Sequence, residues 1–355
     1  MEVCILGNGL TSLTLAKALV NQGIYVDIIS TNNNKQIDKS RTIGISKKNI
    51  NFFNKYILNI KRFLWDINKI EIYSESLNNE KILNFKNNEK LFCIIKNKKL
   101  FNYLLSKLKK DKLCKFKNIK ITSDLILKDY KLIIDCDFNN SITKKFFHRQ
   151  LKKNYNSHAY TTTIKHKKIL NNIAKQFFTS RGPLAFLPIS ETETSVVYSV
   201  KGKKKIDLEN LIRKYNNKYK IISIDPFSHV ELKSSNLRSY YYKNILAFGD
   251  LLHKIHPLAG QGFNMTLRDI KEIFYLIKSR KDNGLDLDCS ICSDFEKNMK
   301  HKNYLFSNSI DFIYEFFSFE NKIKNNLLSK SVKLLGKNKV INNFFTKVAD
   351  DGIVI

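Results

Sequence analysis

Two stretches of the chain hold residues whose types and order suit the binding of a dinucleotide. The first is Gly7-Asn8-Gly9-Leu10-Thr11-Ser12, set between the apolar run Met1–Leu6 and a helical pattern over Leu10–Asn21. A tight glycine turn, a second glycine without a Cβ and a helix start with free N–H groups would let a pyrophosphate approach the backbone at the positive end of a helix dipole. Ser12 stands where a third glycine usually lets helix and strand pack closely. Ser30 stands where an acidic side chain would meet ribose hydroxyls, and Asp27 lies inside the second strand. The second stretch runs from Ala247 to Met265 and contains Gly249-Asp250, His253, His256-Pro257 and Gly260-Gln261-Gly262-Phe263-Asn264. Asp250 can accept hydrogen bonds from polyol hydroxyls. Gly260 and Gly262 allow a flat ring to lie on the backbone, where the N–H groups of Gly262, Phe263 and Asn264 can stabilise negative charge on it. No metal-type cluster accompanies His253 and His256, so ordering of the loop is favoured over proton transfer or metal binding.

The elements that must position these residues follow from the hydrophobic pattern. Met1–Leu6 and Tyr25–Ile29 read as buried strands flanking a helix, a βαβ unit opened by a glycine turn. Lys69–Ser74, Lys81–Phe85 and Leu91–Ile95 read as short strands of one antiparallel sheet, and Leu100–Leu108 as a helix. Tyr130–Cys136 and Asn244–Phe248 are further buried strands. Strand signals alternate over 158–200, a helix follows near Leu208–Tyr215, and helical runs cover Met265–Ile277, Asp294–Phe317 and Lys322–Leu335. The expected fold class is α/β: a discontinuous Rossmann-like nucleotide-binding domain (1–73, 97–150 and 236–290) interleaved with an antiparallel-sheet substrate domain (74–96 and 151–235), ending in a helical segment (291–355).

Composition narrows the function less than its extremes suggest. The 355 residues carry 62 Lys+Arg against 32 Asp+Glu, a formal charge of +30. Only eight of the basic residues are arginine, the side chain suited to bidentate phosphate and base contacts. Lys, Asn and Ile share A/T-rich codons, so base composition accounts for the excess better than a nucleic-acid partner does, and none is expected. The six cysteines are scattered, and Cys289-x-x-Cys292 has no second ligand pair for zinc. Met1 leads directly into a strand-like run, and no apolar stretch reaches 18 residues. A cytoplasmic compartment is expected, without a membrane span. No Gly-x-Ser-x-Gly elbow or Walker loop supports a hydrolase or an NTPase.

The second stretch resembles the flavin-binding signature Gly-Asp … His-x-x-Pro … Gly-Gln-Gly-x-Asn of the class A flavoprotein aromatic hydroxylases, most of all their ubiquinone-biosynthesis branch. Arg41-Thr42-Ile43-Gly44-Ile45-Ser46 is similar to the family's Arg-x-x-x-Ile/Leu-Ser segment, which implies that Arg41 contacts FAD. Asn97-Lys98-Lys99-Leu100 is similar to its Asn-x-x-Leu helix start. Gly182-Pro183-Leu184-Ala185-Phe186-Leu187-Pro188 is similar to the Gly-Pro-x-Ala-x-x-Pro of the sheet roofing the substrate pocket. The resemblance spans nearly the whole chain. The chain departs from it at Asp137-Phe138, where the family has Asp-Gly, and at Leu251-Leu252, where it has a small pair.

The resemblance implies an FAD-dependent monooxygenase that uses O2, with NAD(P)H as reductant, and hydroxylates an aromatic ring through a flavin C4a-hydroperoxide. A polyprenylated phenol of ubiquinone biosynthesis is the implied substrate. Gly7, Gly9, Ser12, Arg41, Asp137, Asp250, Pro257, Gly260, Gly262, Phe263 and Asn264 would then hold the cofactor. The chemistry is flavin-centred and no catalytic side chain is identified; Pro257 and His256 are the nearest candidates. Expected partners are other ubiquinone-biosynthesis proteins and an anionic membrane, touched peripherally on its inner face through Lys322, Lys324, Lys330, Lys333, Lys337 and Lys339. Two alternatives stay open: a prenyl reductase on the same fold, and a non-catalytic scaffold of the biosynthetic complex.

Overall fold

The structure is a computed structural model that describes residues 1–30, 41–86, 90–119, 129–202, 206–257, 260–323 and 327–335. Among these, the strands form three sheets.

The first sheet is built on β1 (Glu2–Leu6), which pairs in parallel with β2 (Tyr25–Ser30) on one side and β9 (Ile133–Asp135) on the other. β8 (Cys114–Asn118) and β17 (Ile245–Ala247) extend it in parallel, and β16 (Tyr241–Tyr242) closes one edge antiparallel. Val3 to Leu6 are fully buried, which is why β1 reads as a continuous apolar run rather than an alternating one: both faces of the sheet are covered. Helix α1 (Leu10–Val20) lies against α3 (Asn97–Leu108) and α6 (Gln261–Asp282). The chain leaves β1 towards β2 and later returns to β9 on the opposite side. The carboxyl ends of β1, β9 and β17 therefore open on a crevice of the kind where parallel α/β sheets hold ligands.

The largest sheet has the order β18-β15-β10-β13-β12-β11-β5-β6, with β14 also paired to β10. Its members are β5 (Lys69–Ser74), β6 (Glu80–Lys86), β10 (Gln150–His166), β11 (Ile173–Thr179), β12 (Gly182–Pro188), β13 (Glu193–Lys201), β14 (Ile221–Ile224), β15 (Ser228–Leu237) and β18 (His253–Lys254). The two-residue period sorts its faces. Leu184, Phe186, Val196 and Tyr198 pack under α5 (Leu208–Tyr215), whereas Ala185, Leu187, Val197 and Ser199 face a cavity.

The third sheet joins β3 (Thr42–Ser46), β7 (Phe92–Lys96) and β4 (Trp65–Ile67), all antiparallel. This differs from the sequence expectation, which put Leu91–Ile95 in one sheet with Lys69–Ser74 and Lys81–Phe85. Only the last two pair with each other, and β5 meets β11 in parallel. β7 instead lays Cys93 and Ile95 into the core beside Ile43 and Ile45. Local alternation is the same for either pairing, so only the long-range core decides it.

The helical tail is α7 (Ser290–Ile323) followed by α8 (Leu327–Leu335). The expected Asp294–Phe317 run is thus part of one longer helix. The short helices α2 (Lys47–Tyr56) and α4 (Ser141–Phe146) complete the set used below. Residues 336–355 lie outside the described residues, as do Lys324, Lys337, Lys339 and the side chain of Lys322.

Candidate functional site

At the carboxyl end of β1 the backbone turns through Gly7, whose φ is +99°. A Cβ there would stand 3.3 Å from the Cβ of Asp137, so only glycine keeps this turn tight against the segment after β9. Gly9 is the N-cap of α1. Added Cβ atoms at Gly9 and at Gly262 would meet nothing within 4 Å. No side chain caps α1 and no acid stands in its first turn. Its free N–H groups are left facing open space. A second helix start repeats the arrangement: Gly260 is left-handed, with φ +65°, and no side chain caps α6.

Gly9, Ser12, Arg41, Asp250, Pro257, Gly260, Gly262, Phe263 and Asn264 all line one cavity of about 2050 Å³. Gly7, Asp137 and His256 do not line it. Asn264 lines it too, but its side chain is spent on protein contacts and its carbonyl accepts from Asn49 Nδ2 (3.3 Å). Its Oδ1 accepts from the Ser46 N–H (2.9 Å) and from Asn49 Nδ2 (3.0 Å), and its Nδ2 donates to the Gly44 carbonyl (2.9 Å). Asn264 thus ties the start of α6 to β3 and α2.

The two departures from the family pattern have different consequences. Leu251 and Leu252 are fully buried in the main core, so their bulk points away from the cavity. Asp137 is half-buried and does not line the cavity; its Oδ1 accepts from the Asn139 N–H (3.1 Å) in a local turn. Cys136 and Phe138 form the wall instead, with Phe138 39% exposed. Behind them Asp135 accepts from the Asp137 N–H (3.0 Å), Asn140 Nδ2 (2.8 Å) and Thr143 Oγ1 (2.7 Å), joining this turn to α4. Burial pushes the Asp135 carboxyl up to about 7, against those hydrogen bonds.

The two loop histidines are held from behind, His253 by α6 and His256 by α7. His253 Nε2 carries the proton that Asp269 Oδ2 accepts, and Asn303 of α7 donates to Asp269 Oδ1 (2.9 Å). His256 lies 1% exposed between Tyr155 (5.0 Å, edge-on) and Tyr314 of α7 (4.2 Å between ring centres). Neither of its nitrogens has a hydrogen-bond partner, and burial pushes the ring down to about 4. A ring so placed is neutral near pH 7 and cannot reach a ligand. His256 is therefore a packing residue behind the wall, whereas its neighbour Pro257 stands on the wall.

Away from the glycine loops the cavity becomes apolar. Ile72 and Leu83 of the large sheet face Phe306, Ile310 and Ile313 of α7, and Val332 of α8 closes the end. Ligand pockets usually span roughly 300–1,000 Å³, so a cavity of about 2050 Å³ has room for two occupants, one polar and one apolar.

The polar half fits a flavin dinucleotide on its own chemistry. Asn97 Oδ1 and Gln261 Oε1 are buried in this wall without hydrogen-bond partners, two acceptors awaiting donors. In the sequence Gln261 is only a motif position and Asn97 only a helix start. Nothing in the motifs points to Asp269, although an acid inside the apolar pattern of 265–277 is the sign available.

No family model matches the chain. It is 22% identical to the ubiquinone biosynthesis monooxygenase COQ6, mitochondrial, of Schizosaccharomyces pombe, over 63% of this chain and 57% of that protein. It is also 22% identical to the Dictyostelium discoideum protein of the same name, over 98% of this chain and 90% of that one. The chain spans about half the length of most of these curated relatives, 50% of the human protein for instance. Among solved structures it superposes on p-nitrophenol 4-monooxygenase PnpA from Pseudomonas putida DLL-E4 with a TM-score of 0.81 at 11% identity, covering 100% of both chains. Klebsiella pneumoniae HpxO complexed with FAD and uric acid superposes with a TM-score of 0.75 at 12% identity, covering 98% of this chain and 97% of that one. The chain is thus similar in sequence to the ubiquinone-biosynthesis monooxygenases and carries the fold of the FAD-dependent aromatic hydroxylases.

Proposed function

We propose that the chain binds FAD and hydroxylates an aromatic ring, that of a polyprenylated phenol in ubiquinone biosynthesis. One observation carries the reading: two uncapped helix starts, with open space over Gly9 and Gly262, meet Asp250 in the polar half of a cavity whose other half is apolar. When bound, the flavin supplies the activation of O2, with NAD(P)H as the proposed reductant.

The chain's own residues do the rest. The start of α1 holds the diphosphate at Gly9 and Ser12, and Asp250 accepts from a ribityl hydroxyl. The N–H groups at the start of α6 stabilise negative charge on the ring system, with Asn97 and Gln261 accepting from its edge. Arg41 holds the cofactor from just before β3. Pro257 and the Ala185, Leu187 and Val197 face of the large sheet enclose the reacting ring and exclude water. The apolar walls from α7 and β5–β6 take the hydrocarbon tail. In this reading the parallel sheet is a Rossmann-like FAD-binding unit (1–73, 97–150, 236–290). The proposed substrate unit (74–96, 151–235) supplies most strands of the large sheet, which also takes in β5 and β18, while its β7 pairs with β3; the tail begins at 291. Other ubiquinone-biosynthesis proteins and an anionic membrane are its proposed partners.

Purified protein is expected to be yellow or to take up FAD on reconstitution. It should also consume NADPH faster when a prenylphenol is added and yield the hydroxylated phenol. Protein that remains colourless with excess FAD overturns the reading. Phe138 favours one second reading: a bulky ring stands on the wall where the family carries glycine. Flavin uptake with no turnover under any reductant would support the scaffold instead.

A further inference from the structure

Helix α7 buries Asn303, Phe306, Ser307, Ile310 and Tyr314 on one side, yet its other side is not simply polar. Tyr304, Phe312 and Phe319 are 49%, 65% and 56% exposed. At 100° per residue the three fall within an arc of about 80°, along roughly 22 Å of helix. Contiguous exposed aromatics of this kind mark a contact surface, and aromatic rings settle readily at a membrane interface. Phe312 also lines the cavity, as does Val230 of β15, which is 54% exposed. The aromatic stripe therefore runs into the rim of the cavity.

We propose that this face of α7 docks on an anionic bilayer, setting the rim at Phe312 and Val230 against the lipid. The proposal deepens the reading above and rests on it only for what the cavity holds. Charge favours lipid over a second copy of the chain. The net charge is +30, so two copies meeting here would repel, whereas acidic headgroups would neutralise it. The acids nearest the stripe are paired, Glu315 and Asp311 with Lys153 and Glu231 of the rim with Lys233, and Lys302 stands exposed on α7. Among the described residues no helix is long and apolar enough to cross a membrane. With one buried face and one aromatic face, α7 suits lying in the interface plane.

The test uses the full chain reconstituted with FAD and vesicles of phosphatidylcholine with or without phosphatidylglycerol. The parent should float with the anionic vesicles and less with the neutral ones. The double variant Tyr304→Ser, Phe319→Ser, both outside the cavity, should partition on the order of a hundredfold more weakly while keeping its flavin absorbance. Equal flotation of parent and double variant would overturn the proposal in favour of attachment by lysines alone. So would a parent that stays unbound, or a parent dimer in gel filtration that the double variant dissolves. Failure to bind FAD would sink the flavin reading and leave the flotation result standing.

Discussion

His253 and Asp269 form a buried pair, their side chains 2% and 0% exposed, that connects the loop after β17 to the middle of α6. Asn303 adds a third member from α7, so two helices and the loop meet at one carboxylate. Removing one partner of such a pair leaves the other buried without compensation. Asp269→Ala is expected to cost about 3–5 kcal/mol in a urea titration. The double variant Asp269→Ala, His253→Ala should cost less than the sum of the single changes. Additive losses would show that the pair does not act as a unit.

His256 adds a pH dependence with a definite sign. The unfolded ring takes up its proton near pH 6.5, the folded ring only near 4. Between those values the unfolded chain binds more protons. Its contribution is therefore complete above about pH 6.5, falls as pH drops, and is fully lost below about 4, a span worth about 3 kcal/mol. Asp311, pushed up by burial, titrates in the opposite sense, so the readout is the difference between parent and His256→Phe. Phenylalanine keeps the stacking on Tyr155 and Tyr314 and should flatten the slope between pH 6.5 and 4 in thermal melts. Identical slopes would exclude His256 as its source.

Gly9 and Gly249 should respond to alanine in opposite ways. At Gly9 the φ is −75° and the added methyl meets no protein atom, so the apoprotein's stability should stay within about 1 kcal/mol. FAD should nonetheless bind roughly tenfold more weakly or worse, because that space is the proposed diphosphate cradle. At Gly249 the φ is +64° and a Cβ would stand 2.7 Å from Thr11 Cγ2, so Gly249→Ala should destabilise the apoprotein itself by about 1–2 kcal/mol or more. Comparing apoprotein melts with FAD titrations separates the two. Undiminished FAD affinity in Gly9→Ala would remove α1 from the cofactor site.

Asp250→Ala should lose bound FAD, with a dissociation constant higher by roughly tenfold to a hundredfold, as expected for one hydrogen bond to a charged group. Flavin absorbance retained through gel filtration would refute the ribityl assignment. Asp250 is exposed at the cavity wall, so its melting temperature without FAD should not change.

Much of the polar site was legible because its parts are local in the chain. A strand, a glycine turn and a helix start need fewer than twenty residues, and the spacing of Gly7, Gly9, Asp250, Gly260 and Gly262 follows from backbone geometry alone. Side chains were harder to assign, because what they touch depends on distant segments. Asn264 looked like a ligand residue, but its amide is consumed by Gly44, Ser46 and Asn49, more than two hundred residues earlier. Asp137 and His256 occupied motif positions yet do not line the cavity.

By itself, then, the sequence determined the α/β class, the two turns where backbone N–H groups are exposed, and the helical runs within 265–335, since periodicity and glycine placement act over a few residues. The tertiary structure decided that β7 joins β3 rather than β5, that Asp269 of α6 holds His253, and that Tyr314 of α7 packs on His256. It also decided that the cavity reaches from the glycine turns to an aromatic rim. Those outcomes depend on which buried faces meet across long stretches of chain, and no local pattern records that choice.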